Sequence, residues 1–141
     1  MSDRDFWIAL AAGPAIWLLL HQLGLPLRQS PLALATVLLL VIANPVLEEI
    51  VFRGAIQGAL LKQAALKKSI AGISIACVMV SILFAAAHLL RQPAGWAALT
   101  FLPSLAFGWA RERHKTLYSP IMLHMTYNAG FIAIFQTGTT S

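Results

Sequence analysis

The sequence predicts an all-α fold, a polytopic integral membrane helix bundle of about five transmembrane spans forming a single domain over residues 1–141. Two observations carry that prediction. Of 141 residues, 59% are hydrophobic and only 11% charged, with a mean hydropathy of +0.77, whereas a water-soluble chain carries about a quarter charged residues. The apolar residues also gather into runs close to the ~20 needed to cross a ~30 Å hydrocarbon core, separated by short stretches rich in Gly, Pro and basic side chains.

Residues 6–23 form the first span, with Trp7 near its start and Gly13-Pro14 inside it, a pattern that membrane helices tolerate. Its leading segment, Ser2-Asp3-Arg4-Asp5, is not positive, and no small-x-small cleavage site follows, so a retained helix is expected over a signal peptide. The connector from Gly24 to Ser30 leads to residues 31–61, too long for one simple span and interrupted at Asn44-Pro45; a kinked or tilted span is expected there. Because Asn is a favoured N-cap and Pro a favoured first helical residue, Asn44 is expected to cap a helix restarting at Pro45. Lys62, Lys67 and Lys68 mark a polar connector before a third span over 70–90. A fourth covers 94–110, with Pro103 and Gly108 inside, and a fifth covers 117–136.

Charge sets the orientation. Alternating across five spans, Arg4, Lys62, Lys67, Lys68, Arg111, Arg113 and Lys115 fall on the side of the N-terminus and Arg28 and Arg91 on the other. The positive-inside rule then places the N-terminus in the cytoplasm and residues 137–141 outside, in a multi-pass protein of the cell (inner) membrane. A net charge of +5 distributed in this way is no nucleic-acid signature. The single cysteine, Cys77, excludes an intramolecular disulfide and reads as a packing residue. The partners expected are the lipid bilayer and a protein or peptide substrate, with a homo-oligomer or a second membrane protein beside them.

Within this apolar chain, Glu48, Glu49 and Arg53 require a reason, since each ionisable side chain at the centre of a membrane helix costs roughly 2.5–3.5 kcal/mol. Glu49 and Arg53 are four apart, on one helical face and in the favourable acid-before-base order, while Glu48 points about 100° away. The spacing therefore makes Glu49 and Arg53 a neutralised supporting pair and Glu48 the candidate for chemistry. Two other spans offer His88 and the pair His124 and Asn128, again four apart. Helix bundles build sites from polar groups on facing helices in this manner, so Glu48, His88, His124 and Asn128 are expected to converge. Phe84, one turn before His88, reads as packing, and His21 and His114 as interfacial residues.

Two chemistries fit these residues. In one, a carboxylate takes a proton from water, a histidine shares it, and side-chain donors stabilise the oxyanion on a scissile carbonyl. In the other, two histidines and a glutamate ligate a catalytic Zn²⁺. The sequence has neither a His-Glu-x-x-His signature nor a cysteine ligand set, which favours the first reading, with no metal and no cofactor. A metal-binding or ion-conducting bundle remains as an alternative class.

Glu48-Glu49-x-x-x-Arg53, Phe84-x-x-x-His88 and His124-x-x-x-Asn128, in that order, resemble the three motifs of the CAAX-processing and bacteriocin-processing (CPBP, or ABI) intramembrane proteases. The stretch from Phe107 to Arg113, leading through Leu117-Tyr118-Ser119-Pro120 to His124, is similar to that family's link between its last two helices. The resemblance covers about residues 40–135. It implies an intramembrane endopeptidase in which Glu48 activates water with His88, His124 and Asn128 form the oxyanion hole, and Glu49 with Arg53 supports the site, with no metal required. The substrate it implies is a membrane-associated or C-terminally tagged protein. The chain is short beside the eukaryotic members, which have around eight spans, and bacterial members include self-immunity factors, so a non-catalytic scaffold or immunity protein is the second reading.

Overall fold

In the computed structural model, which describes residues 3–24 and 32–135, the fold is helical, with one two-stranded hairpin among the described residues. Arg28 and residues 137–141, which enter the orientation argument, lie outside them. Helix α1 is Arg4–Gln22, α2 is Leu34–Leu60, α3 is Ile75–His88, α4 is Ala94–Leu99, α5 is Phe101–His114 and α6 is Tyr118–Phe135. At 27 residues α2 is long and apolar enough to cross a membrane, and α3 is a shorter apolar helix. By internal packing the chain divides into two compact units, residues 1–46 with 122–141, and residues 47–121.

Asn44 does not cap a new helix. Its φ of −62° and ψ of −50° are helical, and α2 runs through Asn44-Pro45 without a break. The proline is accommodated by a wider turn: Leu39–Ala43 is π-helical, and the Asn44 N–H reaches back to the Leu39 carbonyl. An interior proline lacks the N–H of an α-turn and its ring clashes with the carbonyl four residues back, and i→i+5 bonding relieves both. A second π-helical stretch, Ile50–Gln57, follows. Glu48 consequently lies in the interior of α2, away from both of its own ends.

Helix α3 starts later than hydropathy suggests. A 3₁₀ turn at Ala64–Lys67 leads into strands β1 (Ser69–Ile70) and β2 (Ile73–Ser74), antiparallel, with Ser69 opposite Ser74 and Ile70 opposite Ile73. The two-residue turn has positive φ at both Ala71 (52°) and Gly72 (80°), the requirement of a type I′ hairpin. Ser74 ends the hairpin and caps α3, its hydroxyl accepting the Cys77 N–H at 3.0 Å. The apolar stretch over residues 94–110 is also divided: α4 ends at Leu99, the residue whose carbonyl Pro103 would have served in a continuous α-helix, and α5 begins at Phe101.

Residues 47–121 pack the C-terminal half of α2 against α3 and α5. The pattern on α2 is inverted relative to a soluble helix. Glu49, Arg53 and Gln57 are completely buried, while Leu47 and Ile50 are 62% and 47% exposed. Polar groups inward and leucines outward is the arrangement expected of a helix whose solvent is hydrocarbon. In the other unit, α1 and α6 approach closely: a Cβ on Gly13 would enter the Tyr127 ring, and one on Gly130 would lie 3.3 Å from Pro14 Cα. Trp17 packs edge-on against Phe131 and Phe135, with ring centroids 5.3 and 6.1 Å away.

Candidate active site

The i, i+4, i+8 series Glu49, Arg53, Gln57 on α2 meets a series of the same spacing on α5: Ser104, Gly108, Glu112. Arg53 Nε donates to Glu49 Oε2 at 3.1 Å with both side chains fully buried, and its Nη2 donates to Ser104 Oγ at 2.6 Å. One turn on, Gln57 Nε2 donates to the Gly108 carbonyl at 3.2 Å and to Glu112 Oε1 at 2.6 Å. The same Glu112 oxygen accepts the Ser74 hydroxyl at 2.6 Å, so one carboxylate ties α2, α5 and the cap of α3 together. Gly108 is the residue that permits this spacing, because a Cβ there would run into the Cys77 sulfur and lie 3.2 Å from Gln57 Oε1. The network ties the helices together but is not fully satisfied: Arg53 Nη1 and Gln57 Oε1 are buried without a hydrogen-bond partner among the described residues, and buried networks rigidify a core most when every member is paired.

Arg53 also presents its guanidinium to the Phe84 ring, 5.4 Å from the centroid, a cation–π contact in a buried setting. Phe84 in turn lies 4.5 Å, centroid to centroid, from the His88 imidazole and 5.1 Å from Phe52. His88, the last residue of α3, holds Nδ1 2.8 Å from the Phe84 carbonyl. A carbonyl can only accept, so Nδ1 carries the proton, and in the neutral ring Nε2 is the acceptor, the tautomer a proton-sharing histidine needs. Phe84 therefore does more than pack: its ring and its carbonyl both set the pose of His88.

Glu48 and Glu49 differ as neighbours on a helix should. Glu49 is sealed against Arg53, and Glu48 is partly exposed. Glu48, Glu49, Arg53 and His88 all belong to the 47–121 unit. His124 and Asn128 belong to the other unit, both on α6, where His124 is 4% exposed and Asn128 Nδ2 donates to the Leu40 carbonyl at 2.8 Å. Among the described residues, no group of three or more His, Cys, Asp or Glu side chains is placed to hold a metal ion.

Gln57, Ser74 and Ser104 are absent from the motif-based reading, and Glu112 enters it only within the Phe107–Arg113 link, with no role of its own. The signal that finds them is the matching four-residue spacing of polar and small residues on two apolar helices, 49-53-57 and 104-108-112.

The model of the type II CAAX prenyl endopeptidase Rce1-like family matches residues 28–130. The chain belongs to that family. The match contains every motif residue named above, from Glu48 to Asn128, together with both polar series, and it makes the protein one of a family of membrane-embedded CAAX proteases. Neither the curated proteins nor the solved structures searched give a match to the chain.

Proposed function

We propose that this protein is an intramembrane endopeptidase that hydrolyses a peptide bond of a membrane-associated or C-terminally tagged protein with a water activated by Glu48. The observation that carries the proposal is the division of roles between adjacent carboxylates. Glu49 is buried and bonded to Arg53, whereas the neighbouring Glu48 is partly exposed and outside that ion pair. Glu48 accepts a proton from water, with His88 Nε2 sharing it, and the hydroxide attacks the scissile carbonyl. His124 and Asn128 donate to the resulting oxyanion. Collapse breaks the C–N bond, and Glu48 returns its proton to the leaving amine. No metal takes part in these steps.

The same reading takes the chain as one domain of about five spans, the cytoplasmic N-terminus following from the distribution of Lys and Arg. The family match runs through residues of both compact units, which supports a single functional domain. The test is cleavage of prenylated CAAX peptides and of C-terminally tagged membrane peptides by purified protein, with Glu48→Gln as the control. Cleavage by wild type and none by Glu48→Gln is the expected result. A wild type that cleaves nothing in the panel but still confers a phenotype that Glu48→Gln also confers favours the scaffold reading.

A further inference from the structure

Two helices of the unit formed by residues 1–46 and 122–141 contain an interior proline, Pro14 in α1 and Pro45 in α2. In each, a side chain of α6 donates to the carbonyl five residues before the proline. Tyr127 Oη donates to the Ala9 carbonyl at 2.7 Å, and Asn128 Nδ2 donates to the Leu40 carbonyl at 2.8 Å. The two donors are consecutive residues, about 100° apart around α6, so a single turn of α6 serves both interrupted helices. The Gly13 and Gly130 contacts hold α1 close enough for the Tyr127 hydroxyl to reach, and Trp17 Nε1 anchors the same turn by donating to the Tyr127 carbonyl at 3.0 Å.

The backbone of α2 explains why Leu40 is the acceptor. The Asn44 N–H, which would serve Leu40 in an α-turn, goes instead to Leu39 in the wider π-turn. The next N–H in that i→i+5 register belongs to residue 45, and proline has none. The Leu40 carbonyl is therefore left to a side-chain donor, the way membrane helices satisfy groups freed by proline. Because that carbonyl can only accept, it also fixes which end of the Asn128 amide is nitrogen, and it occupies one of the two N–H bonds, leaving the second for another acceptor.

We propose that Pro45 is a positioning residue: because it has no N–H, it leaves the Leu40 carbonyl to Asn128, and this bond aims the remaining Asn128 N–H at the oxyanion. The link to the oxyanion rests on the protease reading above; the competition between the residue-45 N–H and Asn128 for Leu40 does not. Two measurements keep the two apart.

The first is a double-mutant cycle in detergent melts with Pro45→Ala and Asn128→Leu. Pro45→Ala supplies the missing N–H, so the loss of Tm caused by Asn128→Leu should fall to less than half in the Pro45→Ala background. An Asn128→Leu variant that folds only in the Pro45→Ala background is the same result in its extreme form. An equal loss in both backgrounds, or failure to fold in both, overturns the proposal. The second is kinetic. Pro45→Ala should lower kcat about tenfold to a hundredfold at unchanged KM, as expected for a donor displaced by about 1 Å, while its Tm holds or rises. Wild-type kcat in Pro45→Ala overturns the positioning role. A wild type that cleaves nothing would defeat the protease reading, and the melt cycle would still decide the competition for Leu40.

Discussion

Arg53 and Ser104, 51 positions apart in sequence, are joined by a 2.6 Å hydrogen bond in the interior of the 47–121 unit. The serine hydroxyl adds to the Glu49 carboxylate, giving a buried guanidinium an ionic partner at Nε, a neutral acceptor at Nη2 and, in Phe84, an aromatic face, while Nη1 is buried without a hydrogen-bond partner among the described residues.

Removing that cation should be felt in the fold. Arg53→Leu leaves Glu49 buried without its counter-charge, and breaking a buried pair typically costs about 3–5 kcal/mol. A detergent melt should show a large drop in Tm with loss of activity. Ser104→Ala removes one hydrogen bond to a charged group, worth about 1.5–3 kcal/mol, and should give a smaller drop.

Glu48→Gln should behave in the opposite way. The amide keeps the shape and two hydrogen-bonding atoms but cannot act as a base, and a neutral group is cheaper to bury than a carboxylate. Cleavage should vanish while Tm is maintained or raised. Retained cleavage would remove Glu48 from the role of base.

Gly108→Ala tests the spacing between α3 and α5. Its new Cβ meets the Cys77 sulfur, and overpacking of this kind typically costs about 1–3 kcal/mol. Cys77→Ala in the same chain removes the opposing sulfur, so the double variant should recover much of the lost Tm. A double variant no better than Gly108→Ala alone would place the strain elsewhere.

Purified, active protein should contain well under one equivalent of metal by elemental analysis, and chelation should leave cleavage unchanged. Loss of cleavage on chelation, restored by Zn²⁺, would replace the activated-water scheme with a metal-assisted one.

Local rules account for what was legible in the sequence. The Glu49–Arg53 pair follows from four-residue spacing alone, and the wider π-turn at Ile50–Gln57 leaves that contact intact. The helical runs follow from hydropathy. The failures come from backbone hydrogen bonding, which hydropathy does not encode. Asn44 has the composition of a cap, yet the π-turn at Leu39–Ala43 carries the helix past Pro45 and makes a cap unnecessary. Ile70 and Ile73 read as the start of a span, but Ala71-Gly72 turns the chain there and Ser74 sets the true helix start. Gln57 and Glu112 escaped because their partners lie on another helix, 55 positions apart in sequence, and a pairing at that distance has no local signature.

On the proposed reading of α3 as a membrane span, its length has a consequence for the surrounding lipid. Its 14 residues, Ile75–His88, rise about 21 Å, roughly 9 Å less than a typical hydrocarbon core. A bilayer meets such a mismatch by thinning or by drawing its polar boundary inward at the short end. With β2 and the Ser74 cap at one end of the helix, the other end is His88. On the proposed protease reading, the indentation that a short helix imposes would carry bulk water to the imidazole, and the length of α3 would supply the second reactant of a hydrolysis carried out in oil.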